Sequence, residues 1–206
     1  MMLDVSQRLI VIVGGGSVAA RKVRGLIDAG ATRIRIVAPE VCDDVPEVAQ
    51  IVRERYRPER LDGASLVFAA TNDADLNAQV VRDAHVRNLL VCRADSSEDP
   101  NESSDFSTPA RFTQGGVIVA VSAAGNPALA AVIRDGLRWR FDKRWAIMAD
   151  AMQTVRPRIL AARGLNGEQR AAIFRELVTD DALYLLARDG IDALTAWLIE
   201  RHPELS

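Results

Sequence analysis

The sequence predicts an α/β fold in which a parallel sheet domain precedes a small strand–helix section and an all-helical C-terminal tail. In the first half of the chain, short runs of apolar residues alternate with segments of helical periodicity. That alternation is typical of parallel strands joined by right-handed helical crossovers. From residue 145 to the end, the periodicity is helical throughout. We therefore predict three parts, with the boundaries 1–110, 111–144 and 145–206.

The elements of the first part follow from the spacing of its apolar residues. Residues 9–13 (LIVIV) are apolar without interruption, which is typical of a parallel strand buried on both faces. Apolar residues then recur at helical spacing from Ala19 to Ile27, and Gly30 stands where a helix C-terminal cap belongs. Similar patterns predict strands at 34–38, 51–56, 66–70 and 89–92, and helices at 41–50 and 75–87.

A long loop separates the first part from the second. Residues 95–109 carry five acidic residues, no basic residue and many turn formers, which predicts an exposed loop. Residues 117–122 (VIVAVS) follow as a strand, and 126–141 form a helix with Pro127 near its first turn. The tail reads as helical segments at 145–155, 167–178, 181–189 and 191–202.

Composition and charge exclude several classes of protein. Apolar residues make up 49% and charged residues 26%, as in soluble globular proteins, and a net charge of -2 gives no global signal of a nucleic-acid partner. Two cysteines and two histidines predict neither a disulfide framework nor a metal site. Because no signal peptide or membrane span is recognisable, we expect a cytoplasmic protein without a membrane partner.

Three consecutive glycines follow the first strand directly. Gly14, Gly16 and Ala19 fit the pattern G-x-G-x-x-G/A between a strand and a helix, which is the context of a dinucleotide-binding turn in Rossmann-type domains. There, bare backbone N–H groups at a helix N-terminus, together with the helix dipole, neutralise a pyrophosphate. The alternative is a tight turn whose glycines serve close packing only.

The ends of two further strands supply candidate ligand contacts. An acidic residue at the end of the second strand binds the ribose hydroxyls of NAD in such domains, and here Glu40 follows Pro39 at that corner. Because no arginine follows directly to hold a 2′-phosphate, the sequence favours NAD over NADP. Thr71 comes at the end of the fourth strand, at the same edge of the sheet, and is a second candidate contact to the cofactor. The alternative is that Thr71 or Asn72 is the N-cap of the helix that follows.

Four stretches of the sequence together resemble the precorrin-2 dehydrogenases of siroheme biosynthesis, some of which are also sirohydrochlorin ferrochelatases. These stretches are "VIVGGGSVAARKVRGLIDAGA…VAPE", "LVFAATND…LN", a loop that opens with Asp95, and "VIVAVSAAGNPALAAVIRD". The resemblance runs from about Leu3 to Arg140. It implies that NAD takes a hydride from precorrin-2 to give sirohydrochlorin, and it leaves iron insertion open.

The resemblance also implies roles for individual residues. Asp95 falls where the family has the aspartate credited with proton removal, 18 residues beyond Asn77. An Asx-turn or helix cap is the alternative for Asp95. Arg93 and Cys92 depart from the family pattern. An asparagine would be less surprising than Arg93, and a small apolar residue would be less surprising than Cys92. The implied contacts to NAD lie on Gly14, Gly15, Gly16, Ser17, Val18, Pro39 and Glu40.

The substrate implied by the resemblance is a tetrapyrrole polycarboxylate, which calls for cations. Residues 131–144 carry a local excess of basic residues, and arginines suit carboxylates, although a solvated helix face is the alternative. The apolar strand 117–122 lies outside the main sheet, and pairing across a two-fold axis would cover it. We therefore expect a homodimer built through residues 111–145.

Two other functions compete with the dehydrogenase. A non-enzymatic dinucleotide-sensing module needs the glycine turn but not Asp95. A ferrochelatase without redox activity would bind sirohydrochlorin and show no NAD turnover.

Overall fold

The computed structural model describes residues 2–95 and 99–206 of the chain. These residues divide into two units, Met1–Ser107 and Thr108–Ser206, each with its own interior.

Five parallel strands form the sheet of the first unit. They are β1 (Leu9–Val13), β2 (Arg33–Val37), β3 (Gln50–Val52), β4 (Leu66–Ala69) and β5 (Leu90–Arg93), in the order β3-β2-β1-β4-β5. All five residues of the central strand β1 are buried, as its unbroken apolar run predicts. The register aligns Ile12 with Ile36 on one side and with Phe68 on the other. The predicted Rossmann-type parallel sheet is confirmed.

Two helices cover the opposite faces of this sheet. Alternate strand residues such as Ile10 and Ile12 pack with Val23 of α1 (Ser17–Asp28), whereas Val11 packs with Val80 of α2 (Ala74–Val86). This division follows from the two-residue period of a strand, which sends successive side chains to opposite faces. Short 3₁₀ helices lie at Pro58–Leu61 and Pro100–Glu102.

The first helix ends as the sequence predicts. Gly30 has a φ of +85°, and the N–H groups of Gly30 and Ala31 bond the carbonyls of Ile27 and Leu26. This arrangement is a Schellman motif, which satisfies carbonyls that the last helical turn leaves unpaired.

One predicted helix of the first unit is wrong. The described residues 41–49 form turns, in which the N–H of Val45 bonds the carbonyl of Cys42 and the N–H of Ala49 bonds that of Pro46, and Gln50 already begins β3. Pro46 has no N–H for a helical bond and disfavours the α conformation at the residue before it, so the apolar spacing alone is misleading. The predicted strand 51–56 is shorter than expected, since β3 ends at Val52.

The second unit begins with a hairpin and continues with helices. Strand β6 (Ala110–Gln114), which the sequence analysis missed, pairs antiparallel with β7 (Val117–Val121). The helices that follow are α3 (Pro127–Arg140), α4 (Lys143–Ala161), α5 (Gly167–Glu176) and α6 (Asp180–Arg201), with a final 3₁₀ turn at Pro203–Leu205.

Helices α4 to α6 share one apolar core. Ile159, Ile173, Leu194 and Leu198 are among its fully buried side chains. Gly190, with φ +84° and ψ -175°, interrupts α6, so the two helical segments predicted on either side of it are both present.

The division of the second unit at residues 144 and 145 stays a prediction. Helix α4 begins at Lys143, runs across that boundary and contacts both strands of the hairpin. Within the described ranges, no helix is long and apolar enough to cross a membrane.

Candidate dinucleotide site and the carboxylate beside it

The three glycines after β1 have different neighbours. Gly14 has a φ of +124°, and a Cβ at this position would overlap the backbone carbonyl of Ala70, just after β4. A Cβ on Gly15 would overlap the backbone carbonyl of Glu40, just after β2. Gly14 and Gly15 are therefore required by packing between the ends of three neighbouring strands.

Gly16 differs from Gly14 and Gly15, because packing does not require a glycine at this position. Within the described part of the chain, no atom lies within 4 Å of where its Cβ would be, and both Gly16 and Ser17 are exposed. Gly16 is the N-cap of α1, and no side chain among the described residues caps this helix. The helix therefore begins at an exposed and uncapped N-terminus, at the positive end of its dipole, an arrangement that suits a phosphate.

Pro39 and Glu40 lie beside this turn. The N–H of Cys42 bonds the carbonyl of Gly15 at 2.8 Å, and the N–H of Gly14 bonds the carbonyl of Val37 at 3.0 Å. Pro39 does not move Glu40 away from the sheet edge, since the Glu40 backbone lies against Gly15. The structure therefore places the exposed Glu40 next to the glycine turn, where the sequence analysis expects a ribose contact.

Thr71 follows β4 at the same edge and is held by Asn77 of α2. The Thr71 N–H donates to Asn77 Oδ1 at 3.1 Å, and Asn77 Nδ2 donates to the Thr71 carbonyl at 3.2 Å. The prediction that Thr71 or Asn72 caps α2 is wrong, because the side chain of Asp73 accepts from the N–H groups of Asp75 and Leu76.

Asp95 follows β5 and is held by two side chains. Arg93 donates from Nε to Asp95 Oδ1 at 2.7 Å and from Nη2 to Oδ2 at 3.0 Å. Asn77 Nδ2 donates to Asp95 Oδ1 at 3.1 Å. Asn77 thus joins Thr71 after β4 to Asp95 after β5, so the two strand ends form one hydrogen-bonded group.

Burial and hydrogen bonding act in opposite directions on the Asp95 carboxyl. Partial burial raises its pKa, but the hydrogen bonds from Arg93 and Asn77 outweigh burial and hold the pKa below its ordinary value. The carboxylate of Asp95 is therefore ionised at neutral pH. Its side chain remains 34% exposed, so a ligand at this edge can reach it.

Asn77 and Arg93 are functional candidates that the structure adds to those predicted from the sequence. Asn77 is 1% exposed although it lies on a helix, and a buried amide needs polar partners. The only signal in the sequence is that a polar residue stands on the apolar face of α2. Arg93 could be found only as a charged residue at the end of an otherwise apolar strand.

Part of the basic stretch 131–144 pairs with acidic residues of the same stretch. Arg134 donates twice to Asp135, at 2.9 and 2.8 Å, and Arg144 pairs with Asp142. Trp139 on α3 is 88% exposed. Two of the five basic residues in this stretch are therefore paired locally, which favours the solvated-face interpretation for those two. The five are Arg134, Arg138, Arg140, Lys143 and Arg144.

Known proteins resemble the chain in sequence and in fold. The family described as "Putative NAD(P)-binding" matches residues 1–110. Siroheme synthase of Photorhabdus laumondii is 38% identical over 143 residues, which are 66% of this chain and 29% of that protein. Siroheme synthase 2 of Aeromonas hydrophila is 31% identical over 202 residues, which are 96% of this chain and 42% of that protein. The chain thus spans less than half the length of these curated relatives.

A solved structure, "SirC, precorrin-2 dehydrogenase", has the same fold across both units. It superposes with a TM-score of 0.72 and covers 97% of this chain and 98% of its own, at 23% sequence identity. The family match confirms a dinucleotide cofactor, and the matched residues include the glycine turn, Glu40, Thr71 and Asp95. The chain therefore belongs to this NAD(P)-binding family.

Proposed function

We propose that the chain oxidises precorrin-2 to sirohydrochlorin with NAD as the hydride acceptor. The observation that carries this proposal is the arrangement at the carboxyl edge of the sheet. There, an uncapped helix N-terminus after β1 lies on the same edge as an ionised carboxylate after β5. Ligands of open α/β sheets bind at this edge. The siroheme synthase relatives support the choice of substrate.

The dinucleotide fits the residues of the glycine turn. Gly14 and Gly15 give the turn its shape, and the backbone of Gly16, Ser17 and Val18 is open for a pyrophosphate. Pro39 and Glu40 lie beside this turn for the ribose hydroxyls, and Thr71 follows β4 at the same edge. When bound, NAD supplies the acceptor for the hydride.

Asp95 supplies the base in this proposal. Dehydrogenation removes two hydrogens from precorrin-2, one as a hydride and one as a proton, and the balanced products are sirohydrochlorin, NADH and a proton. An ionised carboxylate that is fixed and partly exposed can accept that proton. A dinucleotide sensor would not need such a group.

The experiment is a two-signal assay on the purified chain. Incubation with precorrin-2 and NAD should produce sirohydrochlorin and NADH in equal amounts, each followed by its own absorbance. Sirohydrochlorin with ferrous iron and no NAD, in a parallel sample, tests iron insertion separately. NAD binding without any turnover would instead favour the sensing module.

We further propose that the protein works as a cytoplasmic homodimer. Support comes from the second unit, where β7 pairs only with β6 among the described strands. Helix α3 carries exposed apolar side chains at Leu129, Val132 and Ile133, which a second copy would cover.

A further inference from the structure

A buried arginine lies directly behind the Asp95 carboxylate. The side chain of Arg93 is 4% exposed, and an arginine is almost never buried so far without partners. Its guanidinium donates to Asp95, to Glu102 Oε2 at 3.2 Å and to the backbone carbonyl of Ala74 at 3.1 Å. Each of its three nitrogens therefore has an oxygen partner.

These contacts belong to a chain of alternating charges. Arg82 of α2 pairs with Glu102, Glu102 pairs with Arg93, and Arg93 pairs with Asp95. Exposure changes along this chain: Arg93 is buried, whereas Asp95 at its end is 34% exposed. The series of ion pairs thus ends in the partly exposed Asp95 carboxylate, which the buried Arg93 holds in place.

The contact between Arg93 and Asp95 is bidentate. Two parallel N–H···O bonds from one planar guanidinium fix the plane of a carboxylate as well as its position. Asn77, itself held by Thr71, adds a third bond to Oδ1. Because the outer face of the carboxylate stays accessible, the carboxylate is oriented without being covered.

We propose that Arg93 is a positioning residue, which holds the Asp95 carboxylate in one orientation so that it accepts a proton from a ligand at the sheet edge. This inference rests on the proposed function for the identity of that ligand. Arg93 touches neither the substrate nor the cofactor in this account, and it acts only through Asp95.

The arrangement has two opposed effects on the rate. The hydrogen bonds from Arg93 lower the pKa of Asp95, which weakens it as a base, since a base works best when its pKa is near the working pH. Fixed orientation favours the reaction, because a misplacement of about 1 Å can cost ~10²-fold. We infer that orientation outweighs basicity at this site.

Arg93→Met separates the two effects, because methionine keeps the apolar stem and removes the guanidinium. Without Arg93, burial and the nearby Glu102 both favour the neutral acid, so the pKa of Asp95 should rise. The rate of NADH formation should fall ~10–100-fold at neutral pH. The acid limb of the pH profile of kcat should move to higher pH, with little change in the KM for NAD.

Two further variants serve as comparisons. Arg93→Lys keeps the charge but loses the planar fork, so kcat should fall while the acid limb moves less than in Arg93→Met. Arg82→Met removes an exposed guanidinium from the same chain of charges without touching Asp95, and it should leave both kcat and the acid limb unchanged. Thermal unfolding of each variant shows which of them are folded.

A carboxyl titration of Asp95 by carbon NMR, in the protein without substrate, gives a readout independent of turnover. The groups that face Asp95 among the described residues are Arg93 of β5 and Asn77 of α2, with Glu102 behind Arg93. The inference is supported if the pKa of Asp95 is higher in Arg93→Met than in the wild type. The acid limb of the pH profile of kcat should then move to higher pH by the same interval.

The inference is overturned by an unchanged Asp95 pKa in folded Arg93→Met, or by a kcat that rises in Arg93→Met. If the wild type produces no NADH from precorrin-2, the proposed function fails. The titration then still decides whether Arg93 holds the carboxylate ionised. The two failures are therefore distinguishable.

Discussion

At the scale of single residues, the glycine turn combines two requirements that look identical in the sequence. Gly14 and Gly15 are needed because the backbones at Ala70 and Glu40 approach them, whereas Gly16 faces open space. The sequence motif could predict the turn and its position. It could not separate the three roles, because the residues that contact Gly14 and Gly15 lie far along the chain.

Substitutions at these glycines should therefore have opposite effects on stability. Gly14→Ala should destabilise the fold by at least about 2 kcal/mol, through strain at positive φ and overlap with Ala70. Gly16→Asp should leave the fold intact or stabilise it, because aspartate is a favoured N-cap, and it should abolish NAD binding by blocking and repelling the pyrophosphate. Thermal unfolding and calorimetry with NAD measure both effects. Undiminished NAD affinity in folded Gly16→Asp would refute the assignment.

Asp95 carries the chemistry in this account. Asp95→Ala and Asp95→Asn should each lower kcat ~10²–10⁴-fold and leave NAD affinity near the wild-type value, because the glycine turn is a separate site. Calorimetry and NADH formation on the same preparations separate binding from turnover. Wild-type turnover in either variant would remove Asp95 from the mechanism.

The lowered pKa of Asp95 also links stability to pH. The pKa of this carboxylate is lower in the folded than in the unfolded state, so the carboxylate stabilises the fold at any pH above its ordinary pKa of 3.8. That contribution is lost as the pH falls through the pKa of the folded state. Asp95→Asn should therefore be less stable than the wild type at neutral pH, by about 1 kcal/mol or less because the group is partly exposed. Denaturant unfolding should show this difference disappearing in acid. A difference that grows as the pH falls would contradict the assigned direction.

At the scale of elements, the strands and helices with strong periodicity are those that the sequence predicts well. Strand β1 and helix α1 are clear examples, since local residues determine both their pattern and their ends. Strand β6 was missed because its alternation is short and its stability comes from pairing with β7. The apolar spacing of residues 41–49 is misleading because Pro46 disfavours a helix there, and these residues form turns. The sequence predicts that the site lies at the ends of the strands. The hydrogen bonds among Asn77, Arg93 and Asp95 are not predictable in this way, because they depend on tertiary packing.

The break in α6 gives a prediction at this scale. Gly190 has a φ of +84° and a ψ of -175°, a conformation that only glycine adopts readily, so Gly190→Ala should destabilise the helical tail by roughly 1–3 kcal/mol. Gly25 lies inside α1 with open space around its Cβ position, and Gly25→Ala should stabilise by ~0.5–1 kcal/mol. Thermal unfolding of the two variants tests the contrast. A stabilising Gly190→Ala would mean that α6 is one continuous helix.

At the scale of the whole molecule, the chain joins an NAD(P)-binding unit to a second unit with exposed apolar side chains on α3. The proposed homodimer predicts a mass by light scattering of twice the 22.5 kDa of one chain at micromolar concentration. Val132→Asp, on an apolar side chain that is 70% exposed, should shift the mass to that of one chain without unfolding it. A single-chain mass for the wild type would contradict the homodimer.

The central claim is that the carboxyl edge of the sheet oxidises a tetrapyrrole with NAD. It is tested most directly by mixing the purified protein with precorrin-2 and NAD and recording sirohydrochlorin and NADH together, with Gly16→Asp and Asp95→Asn in parallel. The account predicts equal yields of the two products from the wild type and neither product from Gly16→Asp. In Asp95→Asn, it predicts slow formation of both despite normal NAD binding. Folded wild-type protein that binds NAD but forms no sirohydrochlorin, or forms it without NADH, would contradict the claim.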